Sequence, residues 1–155
     1  MVVIGGVALQ LQGSSYITED IDLAYERTRT NAKRIARALS PFKPRPRGFP
    51  DDLPFVFDDQ TLMSAEVLTL TTSIGDVDLL ASVKGIGDYA EVEAIADDIR
   101  YGDLEVRILS VDGLIRAKRA AGRPKDQPGL IELEAIRQSR AHDDRHEARR
   151  TDDAS

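Results

Sequence analysis

The sequence contains no cysteine and no tryptophan, and it has no long apolar run. Without cysteine the chain has no disulfide framework, no thiolate nucleophile and no zinc–thiolate site. No apolar segment approaches the roughly 18 residues that a membrane-spanning helix needs. The first residues also lack the basic region and the small-residue cleavage pattern of a signal peptide. We therefore predict a cytoplasmic protein that does not interact with a membrane.

Positive charge is in the minority and is unevenly distributed. The 155 residues include 21 Lys and Arg against 27 Asp and Glu, a net charge of −6, which argues against a general nucleic-acid coat protein. Residues 31–48 nevertheless carry a local charge of +6, and residues 112–125 carry +4. Such segments either meet a phosphate-bearing substrate or form the solvated outer faces of helices, and charge alone favours the second interpretation.

The apolar pattern predicts a single α/β (α+β) domain over residues 1–140. A β-branched run predicts a strand at 2–4, and alternation of polar and apolar residues predicts one at 20–25. Turn residues between strand-like segments predict two further pairs, 66–72 with 75–81 and 99–101 with 104–109. Helical spacing predicts helices at 7–12, 28–39, 89–95, 111–121 and 128–140. The prolines of 41–54 exclude regular structure there, and 141–155 is expected to be a charged, flexible tail. The result is a small mixed, mostly antiparallel sheet with helices packed against it.

Acidic residues occupy two of these strands. Asp20 and Asp22 alternate with apolar residues and therefore share one strand face, and Asp78 lies on a second strand that could pair beside the first. Carboxylates that converge repel one another unless a cation neutralises them, and divalent metals are the usual cation. The competing interpretation is that these acids face water or cap turns, and spacing alone favours it.

A glycine pair, Gly5 and Gly6, separates the first strand from the first helix. Glycines at such a junction let backbone N–H groups approach a phosphate closely. A tight turn also needs glycine, so the pair is a weak signal by itself. Its distance from Asp20 is more informative, because one short helix and a loop would bring both to the same end of the sheet.

The order of these motifs resembles the DNA-polymerase-β-like nucleotidyltransferase superfamily. Its small bacterial branch, related to AbiE-type and Men-type toxin enzymes, is the most similar. The motifs are IGGVA at 4–8, GSS at 13–15, TEDIDL at 18–23, DLL at 78–80 and LIRAKRAAGRPKD at 114–126. The resemblance covers residues 2–136, and several motifs in the correct order are more specific than any one of them.

The resemblance implies a polymerase-β-like fold, a reaction and a set of site residues. The reaction is transfer of a nucleoside monophosphate from an NTP, with Mg²⁺ or Mn²⁺, to a hydroxyl on an RNA 3′ end such as that of tRNA, on a protein or on a small molecule. Asp20, Asp22 and Asp78 would be the catalytic metal ligands, and Gly5 and Gly6 would hold the triphosphate. The nucleotide-site residues would be Lys118 and Asp126, with Arg123 and Lys125 as phosphate contacts. A cognate antitoxin is an expected partner.

Two departures from the family pattern stand out. The superfamily more often has Gly-Ser where this chain has Gly5-Gly6, so a hydroxyl contact to the triphosphate is missing, and Ser14 or Ser15 is a candidate to replace it. The helix that usually precedes the first strand is not in this sequence, whose first strand begins at Val2.

Other interpretations of the same residues remain open. Lys118 lies at the edge of the apolar face of its helix, where a lysine equally often extends to solvent, and Asp126 could cap the last helix. For the whole chain, the alternative function is a catalytically inactive module that binds a nucleotide or a partner within a toxin–antitoxin pair.

Overall fold

The computed structural model describes the backbone of residues 1–152 and the side chains of residues 1–145. Nine strands lie in this range: β1 (Val2–Ile4), β2 (Asp20–Ala24), β3 (Arg45–Pro46), β4 (Val67–Thr72), β5 (Gly75–Leu80), β6 (Ser82–Val83), β7 (Gly87–Asp88), β8 (Ala96–Tyr101) and β9 (Leu104–Leu109). Seven form one sheet in the order β3-β4-β5-β2-β1-β9-β8, and β6 pairs with β7. The pairs β1–β9 and β2–β5 are parallel, and the other neighbours are antiparallel. The predicted mixed, mostly antiparallel sheet is confirmed.

Six α-helices of the described residues pack against this sheet. They are α1 (Gly5–Leu11), α2 (Arg29–Leu39), α3 (Asp59–Ser64), α4 (Tyr89–Ala94), α5 (Val111–Ala121) and α6 (Gln127–Asp152). The predicted boundaries of two helices are confirmed in detail. The Thr28 side chain accepts a hydrogen bond from the Asn31 backbone N–H at the start of α2, and Gly122 ends α5 with φ +64, a conformation that glycine adopts without a steric penalty.

Two apolar clusters hold the layers together. One joins β1 and β9 to α1, α5 and α6, and includes Leu9, Ile108 and Leu114. The other joins β4 and β5 to α2 and α3. Strand β2 contributes to both, because Ile21 and Leu23 pack against the second cluster while Ala24 belongs to the first. Asp20 and Asp22 alternate with those isoleucine and leucine side chains and therefore lie on the α1 side of the sheet.

Some expectations about secondary structure need correction. The segment 41–54 is not wholly irregular, because Arg45–Pro46 forms the edge strand β3 against β4; an edge position tolerates proline, which has no N–H to donate. Helix α3 at Asp59–Ser64 was not predicted, although Asp58 caps it by accepting from the Thr61 N–H.

The last helix is longer than expected. Instead of ending near Arg140, α6 continues to Asp152. Residues 137–152 contain neither glycine nor proline, and five of these sixteen residues are arginine, which favours helix even without an apolar face. The last three residues of the predicted tail lie outside the described range. Within that range, no helix combines the length and the apolar character needed to cross a membrane.

Candidate metal centre

Three carboxylates converge where β2 and β5 run side by side. The parallel register sets Asp22 directly beside Asp78, and alternation puts Asp20 on the same face. One carboxylate oxygen from each of the three side chains lies within 4.8 Å of the other two. The predicted convergence of Asp20, Asp22 and Asp78 is confirmed, and we call these residues the acidic triad.

Burial and neighbouring charges perturb two members of the acidic triad, Asp22 and Asp78. Burial, followed by the nearby charges of Asp20 and Asp78, raises the pKa of Asp22 from 3.8 to about 6, although Arg123 and Lys118 act in the opposite direction. Burial is also the largest cause that raises the pKa of Asp78, where Arg47 opposes the shift and Asp20 adds to it. The ionised forms of Asp22 and Asp78 are therefore disfavoured in the absence of a further cation.

Both glycines of the pair are required by the packing around the acidic triad. Gly5 has φ +64, and a Cβ added to it would lie 1.9 Å from Oδ2 of Asp22. A Cβ on Gly6 would lie 2.6 Å from Cβ of Thr18. The backbone at the start of α1 thus lies directly against the Asp22 carboxylate, which no other residue type would permit without displacement.

A cationic group faces the acidic triad from the α5–α6 junction. Lys118 Nζ lies 3.1 Å from Asp126 Oδ1, and both side chains are buried, with 9% and 4% exposed. Arg123 Nε donates to the other oxygen of Asp126 at 2.8 Å. Burial alone would raise the pKa of Asp126, but the hydrogen bonds from Arg123 and Lys118 outweigh it and keep that pKa below its usual value. Asp126 therefore positions the two cations rather than acting as a free carboxylate.

These groups surround one polar cleft of about 280 Å³. Its lining consists of Gly5, Gly6, Tyr16, Thr18, Asp20, Asp22, Arg47, Asp78, Lys118, Arg123, Lys125 and Asp126. A second and more apolar cleft of about 460 Å³ adjoins it and shares Asp22, Asp78 and Lys118 with it. Acidic and basic side chains therefore line the same polar cleft, and this cleft adjoins the more apolar one.

The structure does not bring every candidate to this cleft. Ser14 and Ser15 are absent from its lining and instead bond to Glu132 on α6. The Ser14 hydroxyl and the Ser15 backbone N–H both donate to one oxygen of that carboxylate, and the Ser15 hydroxyl donates to the other. Their observed role is to attach the loop after α1 to α6.

Sequence reasoning missed three residues of the cleft. Thr18 donates its hydroxyl to Asp20 Oδ1 at 2.6 Å and so orients that carboxylate. Tyr16 places its ring 5.5 Å from Lys118 Nζ. Arg47, from the segment after β3, donates to Asp78 Oδ1 at 2.8 Å. Each lies in a segment that the sequence does mark, namely the GSS–TEDIDL region or the positive run 31–48.

Comparison of the chain with known protein families and with curated proteins finds no match to either. The chemistry of the site must therefore be judged from its donor atoms. The acidic triad offers only carboxylate oxygens, which suit hard divalent cations such as Mg²⁺ or Mn²⁺. Because Gly5 has no Cβ, the Asp22 carboxylate can occupy the space beside the Gly5 backbone that a Cβ would fill. The residues present fit such an ion.

Proposed function

We propose that this protein is a metal-dependent nucleotidyltransferase of the polymerase-β-like type, acting in the cytoplasm. The observation that carries the proposal is the acidic triad, whose carboxylate oxygens lie within 4.8 Å of one another opposite the buried Lys118. A dense negative group faced by positive side chains suits a substrate that brings both phosphate and a divalent cation.

In this proposal Asp20, Asp22 and Asp78 hold Mg²⁺ or Mn²⁺. The bound ion supplies charge neutralisation between these carboxylates and the triphosphate of an NTP. Lys118 and Arg123, fixed by Asp126, face the phosphates and stabilise the charge that develops on them. The apolar cleft next to the acidic triad accommodates the nucleoside part of the substrate.

The proposed reaction is an in-line displacement. The oxygen of an acceptor hydroxyl bonds to the α-phosphorus while the bond from that phosphorus to the bridging oxygen of the β-phosphate breaks, so pyrophosphate leaves with the bonding electrons. The hydroxyl proton passes to Asp78, whose pKa is raised chiefly by burial, and a raised pKa makes a carboxylate a better proton acceptor. The acceptor is an RNA 3′ end, a protein hydroxyl or a small molecule.

The test is incubation of the protein with NTPs labelled at the α-phosphate, Mg²⁺ and either whole-cell RNA or protein. The wild type should transfer label to one acceptor, and Asp20→Asn should abolish transfer. Glu19→Gln is the matched control, since it removes an exposed neighbouring acid that is outside the cleft lining. Undiminished transfer by a folded Asp20→Asn protein would refute the assignment. NTP binding without transfer to either acceptor would favour the inactive binding module.

A further inference from the structure

Within the part of the chain whose side chains are described, Arg47 forms an ion pair with the acidic triad itself. Its Nη2 lies 2.8 Å from Asp78 Oδ1, and its Nε lies 3.1 Å from Asp76 Oδ2. Lys118 and Arg123 are instead paired with Asp126. Arg47 is thus bonded to one carboxylate oxygen of Asp78, the third residue of the acidic triad.

The backbone brings Arg47 to this position. Strand β3 pairs with β4, with Arg45 opposite Thr71, and the Arg47 N–H donates to the Thr69 carbonyl at 2.8 Å. Thr69 is in turn opposite Asp78 in the β4–β5 pairing. Because the backbone of residue 47 is fixed with only strand β4 between it and Asp78, its side chain can reach Asp78 without rearrangement of the sheet.

The neighbouring arginine holds the following loop in place. Arg45 donates through Nη2 to the carbonyls of Pro50 and Leu53, both at 2.8 Å, and its guanidinium lies 5.6 Å from the Phe49 ring centre. The two arginines therefore divide their roles. Arg45 organises the loop, while Arg47 is directed at the carboxylates.

We propose that Arg47 is an internal counter-ion that competes with a divalent cation for Asp78, and that loading of the metal displaces its guanidinium. The inference rests on the proposed function, because it assumes that the acidic triad takes a metal. The contact is suited to displacement, since the Arg47 side chain is 38% exposed and ion pairs at such positions contribute little net stability. Arg47 would thereby offset part of the negative charge of the acidic triad until a divalent cation binds.

The first test is Mn²⁺ titration of wild type and Arg47→Gln, followed by calorimetry or by electron paramagnetic resonance of free Mn²⁺. Removing one positive charge a few ångströms from a divalent ion should tighten binding by about tenfold. Arg27→Gln is the matched control, because Arg27 is similarly exposed (40%) and paired with Glu66, outside the cleft lining. This control should bind Mn²⁺ as the wild type does.

The second measurement follows Arg47 itself. The ¹⁵Nε–H resonance of Arg47, assigned by its loss in Arg47→Gln, should shift as Mg²⁺ saturates the wild type, since the surroundings of Nε, which is ion-paired with Asp76 Oδ2, change when the guanidinium leaves Asp78. Mn²⁺ affinity that is unchanged or weakened in Arg47→Gln overturns the inference while leaving the metal site in place, as does a resonance that stays fixed through Mg²⁺ saturation. If neither protein binds Mn²⁺, the metal site of the proposed function fails and this inference fails with it.

Discussion

Replacement of Gly5 by alanine tests the link between the glycine pair and the acidic triad. A Cβ at this position meets two separate obstacles. The backbone has φ +64, and the added atom would lie 1.9 Å from Asp22 Oδ2. The positive φ is a conformational obstacle and the overlap with Asp22 is a steric one. A good control is therefore a glycine with a similar positive φ but no such overlap.

Gly102, in the turn between β8 and β9, provides this control. Its φ is +60, almost the same as at Gly5, but a Cβ there would meet nothing within 4 Å. Gly102→Ala should therefore cost only the left-handed penalty, about 1–2 kcal/mol. Gly5→Ala should cost a further 1–3 kcal/mol or so for the overlap, because either the α1 backbone or the Asp22 carboxylate must move.

The assay combines urea denaturation with Mn²⁺ titration of both variants. We expect Gly5→Ala to lose more stability than Gly102→Ala and also to bind Mn²⁺ more weakly, since a displaced Asp22 leaves the acidic triad. Gly102→Ala should bind Mn²⁺ as the wild type does. Equal losses of stability in the two variants, with equal Mn²⁺ affinity, would show that the close approach of Gly5 to Asp22 has no energetic consequence.

Three further predictions concern charge and hydrogen bonding. With metal removed by a chelator, the wild type should lose about 2 kcal/mol of folding stability relative to Asp22→Asn as the pH rises from 3.8 to about 6. The reason is that the folded protein binds the proton of the Asp22 carboxyl more tightly than the unfolded chain does. Urea denaturation across this range measures the difference, and a difference independent of pH would contradict the raised pKa. Asp126→Asn should cost about 3–5 kcal/mol, because it leaves buried Lys118 without its counter-ion, whereas Asp98→Asn, at an exposed ion pair, should cost much less in the same thermal-denaturation assay. Ser14→Ala should lower stability slightly but leave NTP affinity in calorimetry unchanged, since the hydroxyl bonds to Glu132; a marked loss of affinity would return Ser14 to the nucleotide site.

Local patterns were enough to predict much of the fold. The helix from Arg29 to Leu39 follows from its apolar spacing and from Thr28, whose hydroxyl does cap it. The hairpin of β4 and β5 follows from two alternating segments separated by a short turn. Such elements depend on interactions between residues close in sequence, which the sequence displays directly.

Features that depend on distant partners were harder to predict. The parallel register that sets Asp22 beside Asp78 has no signature in either strand alone and was not predicted; the sequence indicated only that the three carboxylates could converge. Arg47 was seen only as part of a positive segment, because its carboxylate partners lie on β5. Ser14 was placed in the site by its position in a motif, whereas its partner Glu132 lies on the last helix.

The two parallel pairings bring together parts of the chain that are far apart. Asp22 and Asp78 lie 56 positions from each other, and Val3 and Ile108 lie 105 apart. Closing such separations costs chain entropy before any contact repays it, whereas the hairpins β4–β5 and β8–β9 can form on their own. No short fragment of the chain contains all three acids in register. Cation affinity at this position is therefore a property of the completed topology, and an ion bound there stabilises only molecules in which both halves of the sheet have joined.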